Sequence, residues 1–237
     1  MRLADFRALH VSGFRGHGNA ASSFVSGLYA VTPDELHTSI LARKVEQALR
    51  GGARLVQYRN KTAAAAIRRE QGRALLRICR AAKVPLIIND DLQLSIELDA
   101  DGVHLGRNDG DIASARRALA AGKLLGVSCY DDLGLAREAQ KRGADYVAFG
   151  AAYPTSTKPG AVKAGLSIYG EAKSLLQVPV VAIGGITTGN VGAVFAAGAD
   201  AAAVISALFD APDVEQRARE FTSVIRRNFV PSPAGSR

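Results

Sequence analysis

The sequence predicts an α/β protein folded as a compact, closed (β/α)8 TIM barrel with an appended N-terminal arm. Three observations lead there. Between residues 28 and 228, apolar runs and helical patterns alternate eight times, which suits a closed barrel, with a doubly wound open sheet as the alternative. Several of those runs end in a polar residue suited to chemistry: Leu55-Val56-Gln57-Tyr58-Arg59, Leu86-Ile87-Ile88-Asn89-Asp90, Leu125-Gly126-Val127-Ser128 and Val204-Ile205-Ser206. A lead-in phrase also recurs before some runs, as Gly52-Ala53-Arg54, Ala100-Asp101-Gly102, Gly143-Ala144-Asp145 and Gly198-Ala199-Asp200. The spacings between its alanines are 47, 44 and 55 residues, as repeats of two strands and two helices would produce.

In chain order, the first strand is expected at Gly27 to Val31 and its helix at 34–50. The second strand starts at Leu55 after Gly52, a residue suited to the positive-φ position that ends a helix; a helix at 62–82 follows. Pro85 to Asn89 is the third strand, with a helix at 92–98 that Asp91 is placed to cap. Val103 opens the fourth strand before a helix at 111–121, and Leu124 to Cys129 is the fifth, before 131–142. The sixth begins at Tyr146, and its helix at 167–176 is reached by the one long rim loop, Tyr153 to Gly165. A loop of that length carrying Thr155, Thr157 and Lys158 reads as a lid. Val178 to Ile183 and its helix at 188–197 come next, then a strand from Ala201 and a helix at 213–228.

Residues 1–27, rich in Gly and Ser and without sustained periodicity, form the arm, expected to be poorly ordered; its arginines loosely resemble a targeting segment, but a secretory signal's apolar region is missing. Residues 28–228 form the catalytic barrel and 229–237 a frayed tail.

The chain has 237 residues, 48% of them hydrophobic, enough for a large core of small side chains. No run approaches the ~20 apolar residues of a membrane span. Cys79 and Cys129 sit in apolar contexts and read as small buried hydrophobes, which fits a reducing cytoplasm. The net charge of +8 is spread over helix faces, without the aromatic-interleaved basic motif of a nucleic-acid module. Anionic small molecules are the expected partners, with neither nucleic acid nor membrane; self-association into a homo-oligomer is left open.

Strand alternation puts Leu55, Gln57 and Arg59 on one face, with Lys61 just beyond. A planar guanidinium beside a compact ammonium suits a diphosphate, although a strand-end ion pair would use the same residues. With Asp91 capping a helix, Asp90 is free to join Asp109 of the next rim loop as a loose Mg²⁺ site. His104 faces the rim as either a substrate contact or a satisfied core histidine. Ile183-Gly184-Gly185-Ile186 and Ile205-Ser206 follow strands seven and eight, the habitual phosphate site of this barrel.

Taken in order, Gln57-Tyr58-Arg59-Asn60-Lys61, Ile88-Asn89-Asp90-Asp91, Gly102-Val103-His104-Leu105-Gly106, Gly126-Val127-Ser128, Tyr153-Pro154-Thr155-Ser156-Thr157-Lys158 and Gly184-Gly185-Ile186-Thr187 resemble the thiamine-phosphate synthase family. The resemblance spans about 28–210. It implies a transferase that joins 4-amino-2-methyl-5-hydroxymethylpyrimidine diphosphate to 4-methyl-5-hydroxyethylthiazole phosphate, releasing pyrophosphate by Mg²⁺-assisted dissociative departure of the diphosphate. It further implies that Gln57, Arg59, Lys61, Asn89, Ser128 and Lys158 hold the pyrimidine diphosphate, with Arg59, Lys61, Ser128 and Lys158 as the catalytic set. Asp90 and Asp109 would hold Mg²⁺, and Thr155, Thr157, Gly185, Ile205 and Ser206 the thiazole phosphate. Tyr58, Asn60 and Ser156 are counted with the substrate-binding motifs. Rival readings are a paralogue that has lost diphosphate chemistry, a sugar-phosphate isomerase or lyase wanting a strand-end Glu or Lys, and an anion- or RNA-binding barrel.

Overall fold

A computed structural model describes residues 24–155, 160 and 162–228. Its elements alternate throughout: β1 (Gly27–Val31), α1 (Thr38–Arg50), β2 (Leu55–Tyr58), α2 (Ala65–Ala82), β3 (Leu86–Asn89), α3 (Leu92–Glu97), β4 (Gly102–Leu105), α4 (Ile112–Ala118), β5 (Leu124–Tyr130) and α5 (Leu133–Lys141). There follow β6 (Tyr146–Phe149), α6 (Ser167–Leu175), β7 (Val180–Ile183), α7 (Val191–Ala196), β8 (Ala201–Val204), the short α8 (Ser206–Phe209) and α9 (Val214–Asn228). All neighbouring strands pair in parallel and β8 returns to β1, closing the barrel.

Alternation along the strands divides the apolar residues into two layers. Tyr29, Leu55, Ile87, Leu124, Tyr146, Val181 and Ala201 pack inside the barrel. Leu28, Val56, Ile88, Val147, Phe149 and Val204 face the helices, where they meet Leu41, Val45, Leu75, Phe195 and Phe221. Burial of each such aliphatic or aromatic side chain contributes about 1.5–3 kcal/mol. Small residues bring the layers close: a Cβ on Gly51 would stand 2.3 Å from the Ala218 Cβ, so α1 meets α9 without a spacer.

The recurrent lead-in has two physical causes. Gly52, Gly143 and Gly198 hold φ values of 101°, 96° and 108°, the left-handed turn out of each preceding helix; in the second repeat Asp99 takes that place at 53°. The aspartates then close the bottom of the barrel. Asp101, Asp145 and Asp200 accept the backbone N–H of Leu86, Leu125 and Val180, each at 2.8 Å, satisfying a donor at the start of the neighbouring strand. Arg116 pairs with Asp145 at 2.9 Å and Lys173 with Asp200 at 2.8 Å.

Several helices start later than their sequence patterns suggest, because rim residues use the intervening backbone. α1 begins at Thr38 rather than 34, since Thr32 and Asp34 fold back to bond the end of β2. α2 begins at Ala65 because the Asn60 side-chain Oδ1 accepts the N–H groups of Thr62 and Ala63 at 3.3 and 3.1 Å. At the N-terminal side, β1 begins at Gly27, and Val25, two residues before it, is already buried in the barrel interior. The rest of the expected arm, 1–23, and the tail from 229 lie outside the described residues. Cys79 and Cys129 are buried and unbridged, and burial pushes both thiols up to about 12.

Candidate active site

The carboxyl ends of all eight strands surround one cavity of about 670 Å³. On one side stand Gln57, Arg59 and Lys61 from β2 and its loop, Asn89 and Asp90 from β3, Asp109 after β4 and Ser128 from β5. Opposite are Thr155, Gly185, Ile205 and Ser206. Ser156, Thr157 and Lys158 lie outside the described residues.

Arg59 is oriented by a residue that sequence reading missed. Its Nη1 donates to Asp34 Oδ1 at 3.1 Å, and the same oxygen accepts the Lys61 N–H at 2.6 Å. Thr32 adds a two-way clamp, its hydroxyl bonding both the N–H and the carbonyl of Arg59 at 2.8 Å. The guanidinium is therefore preorganised by the β1 loop while its remaining donors stay available to an anion. The Lys61 ammonium stands 3.4 Å from Asp90 Oδ2.

Asp90 departs from the strand in the left-handed region, φ 63°, which a non-glycine residue holds at a cost of about 1 kcal/mol. Its N–H bonds the His104 carbonyl at 2.8 Å, while the adjacent Asp91 caps α3 through Leu94 N–H at 2.9 Å, as expected. The turn brings Asp90 close enough to Asp109 for the two carboxyl groups to influence each other. Burial first, and then the neighbouring Asp90 carboxyl, raise the Asp109 carboxyl above the ordinary carboxylate range; Gly106 N–H, at 2.8 Å, and the Lys61 charge oppose the shift. Among the described residues no group of three or more His, Cys, Asp or Glu could hold a metal.

Two expected substrate contacts are displaced. Tyr58 and Asn60 alternate with Gln57 and Arg59 and so face outward. Tyr58 donates to Gln71 Oε1 at 2.8 Å, and Asn60 Nδ2 donates to the Glu35 carbonyl at 2.7 Å and to Gln71 Oε1 at 3.1 Å. Neither lines the main cavity; both border a side cavity of about 210 Å³ beside Arg68 and Asp91. Their visible work is to pin α1 and α2 under the rim.

His104 is a satisfied, buried histidine that also borders the cavity. Its Nδ1 lies 3.1 Å from the Tyr146 hydroxyl and its Nε2 2.9 Å from Ser128 Oγ. Burial holds the imidazole down at about 4, so it is neutral near pH 7.

At the opposite end, Gly184 and Gly185 hold φ values of 96° and 63°. A Cβ on Gly185 would lie 2.3 Å from the Pro154 carbonyl oxygen, so only glycine lets the loop after β7 pass beneath the loop after β6. Asn190, also missed, braces this turn: its amide donates to the Gly185 carbonyl at 3.0 Å and accepts the Thr187 N–H at 2.7 Å. Below the long loop, Ala151 N–H donates to the Val162 carbonyl at 2.6 Å and Ala164 N–H to the Ala151 carbonyl at 2.9 Å, so its described flanks are tied together beside the cavity.

Comparison with known proteins gives a consistent result. The family described as thiamine monophosphate synthase matches residues 28–208. A protein of Methylobacillus flagellatus described as thiamine-phosphate synthase is 55% identical over 197 residues, covering 83% of this chain and 94% of the relative. One of the same description from Aromatoleum aromaticum is 50% identical over 198 residues, covering 84% and 95%. Among solved structures, thiamine phosphate pyrophosphorylase from Pyrococcus furiosus superposes with a TM-score of 0.78 at 33% identity, covering 89% of this chain and 99% of that one. A 3-hexulose-6-phosphate synthase, at 22% identity and a TM-score of 0.63, shares the fold alone.

Proposed function

The chain belongs to the thiamine monophosphate synthase family, and from that membership we propose that it joins 4-amino-2-methyl-5-hydroxymethylpyrimidine diphosphate to 4-methyl-5-hydroxyethylthiazole phosphate, giving thiamine phosphate and pyrophosphate. The observation that carries this reading is a single cavity with a cationic, carboxylate-bearing end at β2 to β5 and a glycine-rich end at β7 and β8. One end suits a diphosphate and the other a monophosphate.

At the first end, Arg59 and Lys61 bind the diphosphate, joined by Asn89 and, by resemblance, Lys158. Two neighbouring carboxyl groups, one with its proton affinity raised, fit a hard cation whose other ligands are waters and phosphate oxygens. Asp90 and Asp109 would hold Mg²⁺, which when bound supplies charge that makes the diphosphate a better leaving group. The bond between the pyrimidine methylene carbon and the diphosphate oxygen breaks with its electron pair leaving on the diphosphate. Arg59 and Lys61 neutralise the charge that develops there. The aminopyrimidine ring spreads the positive charge left on carbon, and the thiazole nitrogen lone pair forms the new C–N bond. Gly185, Ile205 and Ser206 hold the thiazole phosphate, joined by Thr155 and, by resemblance, Thr157. Closure of the loop from Tyr153 to Gly165 as a lid keeps water from the cation.

No protein nucleophile is needed. Ser128 donates a hydrogen bond, and Cys129 packs outside the barrel as a thiol. Among the described residues no helix is long and apolar enough to cross a membrane; a cytoplasmic site of action agrees with the two unbridged thiols. The test is to give purified protein both substrates and Mg²⁺ and to separate the products by chromatography. Thiamine phosphate is expected, and its absence would refute the reading.

A further inference from the structure

Five buried or half-buried side chains form a polar thread of four links through the top of the barrel. Gln57 Nε2 lies 2.8 Å from the Tyr29 hydroxyl, which lies 2.9 Å from the Tyr146 hydroxyl. That hydroxyl is 3.1 Å from His104 Nδ1, and His104 Nε2 is 2.9 Å from Ser128 Oγ. Tyr29 and Tyr146 are 1% and 0% exposed, so water does not substitute for any link. The barrel is shaped to let the thread pass. Gly126 sits in register between His104 on β4 and Tyr146 on β6, and a Cβ there would lie 2.1 Å from the Tyr146 Cζ and 2.6 Å from His104 Nδ1. The His104 ring stacks on Tyr146 at 28°, and Tyr29 meets Tyr146 edge-on at 76°.

A neutral imidazole has one N–H, and each phenol has one O–H, so every link in the thread dictates the next. If the Gln57 amide N–H donates to Tyr29, Tyr29 donates to Tyr146, Tyr146 donates to His104 Nδ1, and His104 Nε2–H donates to Ser128. The Ser128 hydroxyl proton is then left for the cavity, and Gln57 offers its carbonyl oxygen. With the amide turned over, all links reverse: Ser128 spends its proton on His104 and Gln57 offers N–H groups.

We infer that Tyr29, Tyr146 and His104 are positioning residues that lock the thread in the first polarity, so that Ser128 is a donor and Gln57 an acceptor toward the pyrimidine diphosphate. This rests on the function proposed above. A diphosphate oxygen accepts hydrogen bonds and a pyrimidine amino group donates them, so the first polarity matches the substrate at both ends and the second mismatches it at both. A mismatched site leaves its polar groups unpaired.

The direct test does not depend on activity. Nitrogen NMR of ¹⁵N-histidine-labelled protein, with His10, His17 and His37 replaced by Gln so that His104 alone reports, is expected to show a protonated Nε2 and a bare Nδ1. A protonated Nδ1, or two interconverting tautomers, would overturn the inference. A kinetic test adds the functional consequence. Tyr146→Phe removes the donor to Nδ1 and is expected to raise KM for the pyrimidine diphosphate roughly tenfold, the loss of about one good hydrogen bond, with KM for the thiazole phosphate little changed. In a Ser128→Ala background the same substitution should cost almost nothing further. Equal losses in both backgrounds, or equal movement of both KM values, would mean that Tyr146 only supports the fold. If the chain made no thiamine phosphate at all, the tautomer would still read the thread's polarity, so the two failures are separable.

Discussion

Asp90 is the rim residue whose backbone and side chain are most specialised, held left-handed at φ 63° with its carboxylate against Asp109 and near Lys61. Asp90→Ala removes half of the donor pair at little structural cost, since the residue is half-buried and its neighbour Asp91 still caps α3. Its turnover should fall by at least ~100-fold, as for loss of a group that stabilises transition-state charge, while circular dichroism stays unchanged. Lys158→Ala should show the same pattern, and near-normal rates from either variant would remove that residue from the chemistry. EDTA should stop turnover and added Mg²⁺ restore it; full activity in metal-free buffer would remove the metal assignment. Gln57, Arg59, Asn89 and Ser128 were legible on the rim because each lies on the inward phase at the end of an apolar run, with Lys61 and Asp90 just beyond. Tyr58 and Asn60 were drawn in only because they share a motif with those residues, although period two already sends them outward. Asp34 and Tyr146 were not legible, because their partners lie 25 and 42 residues away and only barrel closure brings them together.

The strands of this barrel depend on the aspartates at their feet. Asp145 is the most enclosed of them, with its side chain 8% exposed, accepting Leu125 N–H and pairing with Arg116. Asp145→Ala leaves a buried strand donor unsatisfied and should cost about 2 kcal/mol, lowering Tm by roughly 5 °C. A thermal melt that matches the unsubstituted protein would show that the recurrent Asp does no such work. The Gly-Ala-Asp phrase was visible in sequence as a period, and its glycines as helix ends. The reason for its aspartate was not visible, since the bond runs to the strand before it in sequence. Helix starts were placed several residues early wherever a rim loop takes up backbone donors, as at Thr62 and Ala63. The short α8 (Ser206–Phe209) spans a single turn, too brief for a hydrophobic period to register.

At the scale of the whole molecule, eight alternations of strand and helix were enough to indicate the barrel, because a parallel strand reached through a helix leaves few closed topologies. Several of the helix-face cations meet carboxylates, as in Arg69 and Arg73 with Glu97 or Arg142 with Glu138. The family match begins at residue 28, so deletion of residues 1–23 should leave kcat and KM intact, and a large loss would bring the arm into the site. The central claim is that one cavity holds two anions at opposite ends, a diphosphate over β2 to β5 and a monophosphate over β7 and β8. A crystal structure with thiamine phosphate, pyrophosphate and Mg²⁺ tests it most directly. Pyrophosphate is expected on Arg59, Lys61, Asp90 and Asp109, with the thiamine phosphate group at Gly185 and Ser206. Exchange of the two, or both phosphates gathered at one end, would contradict it.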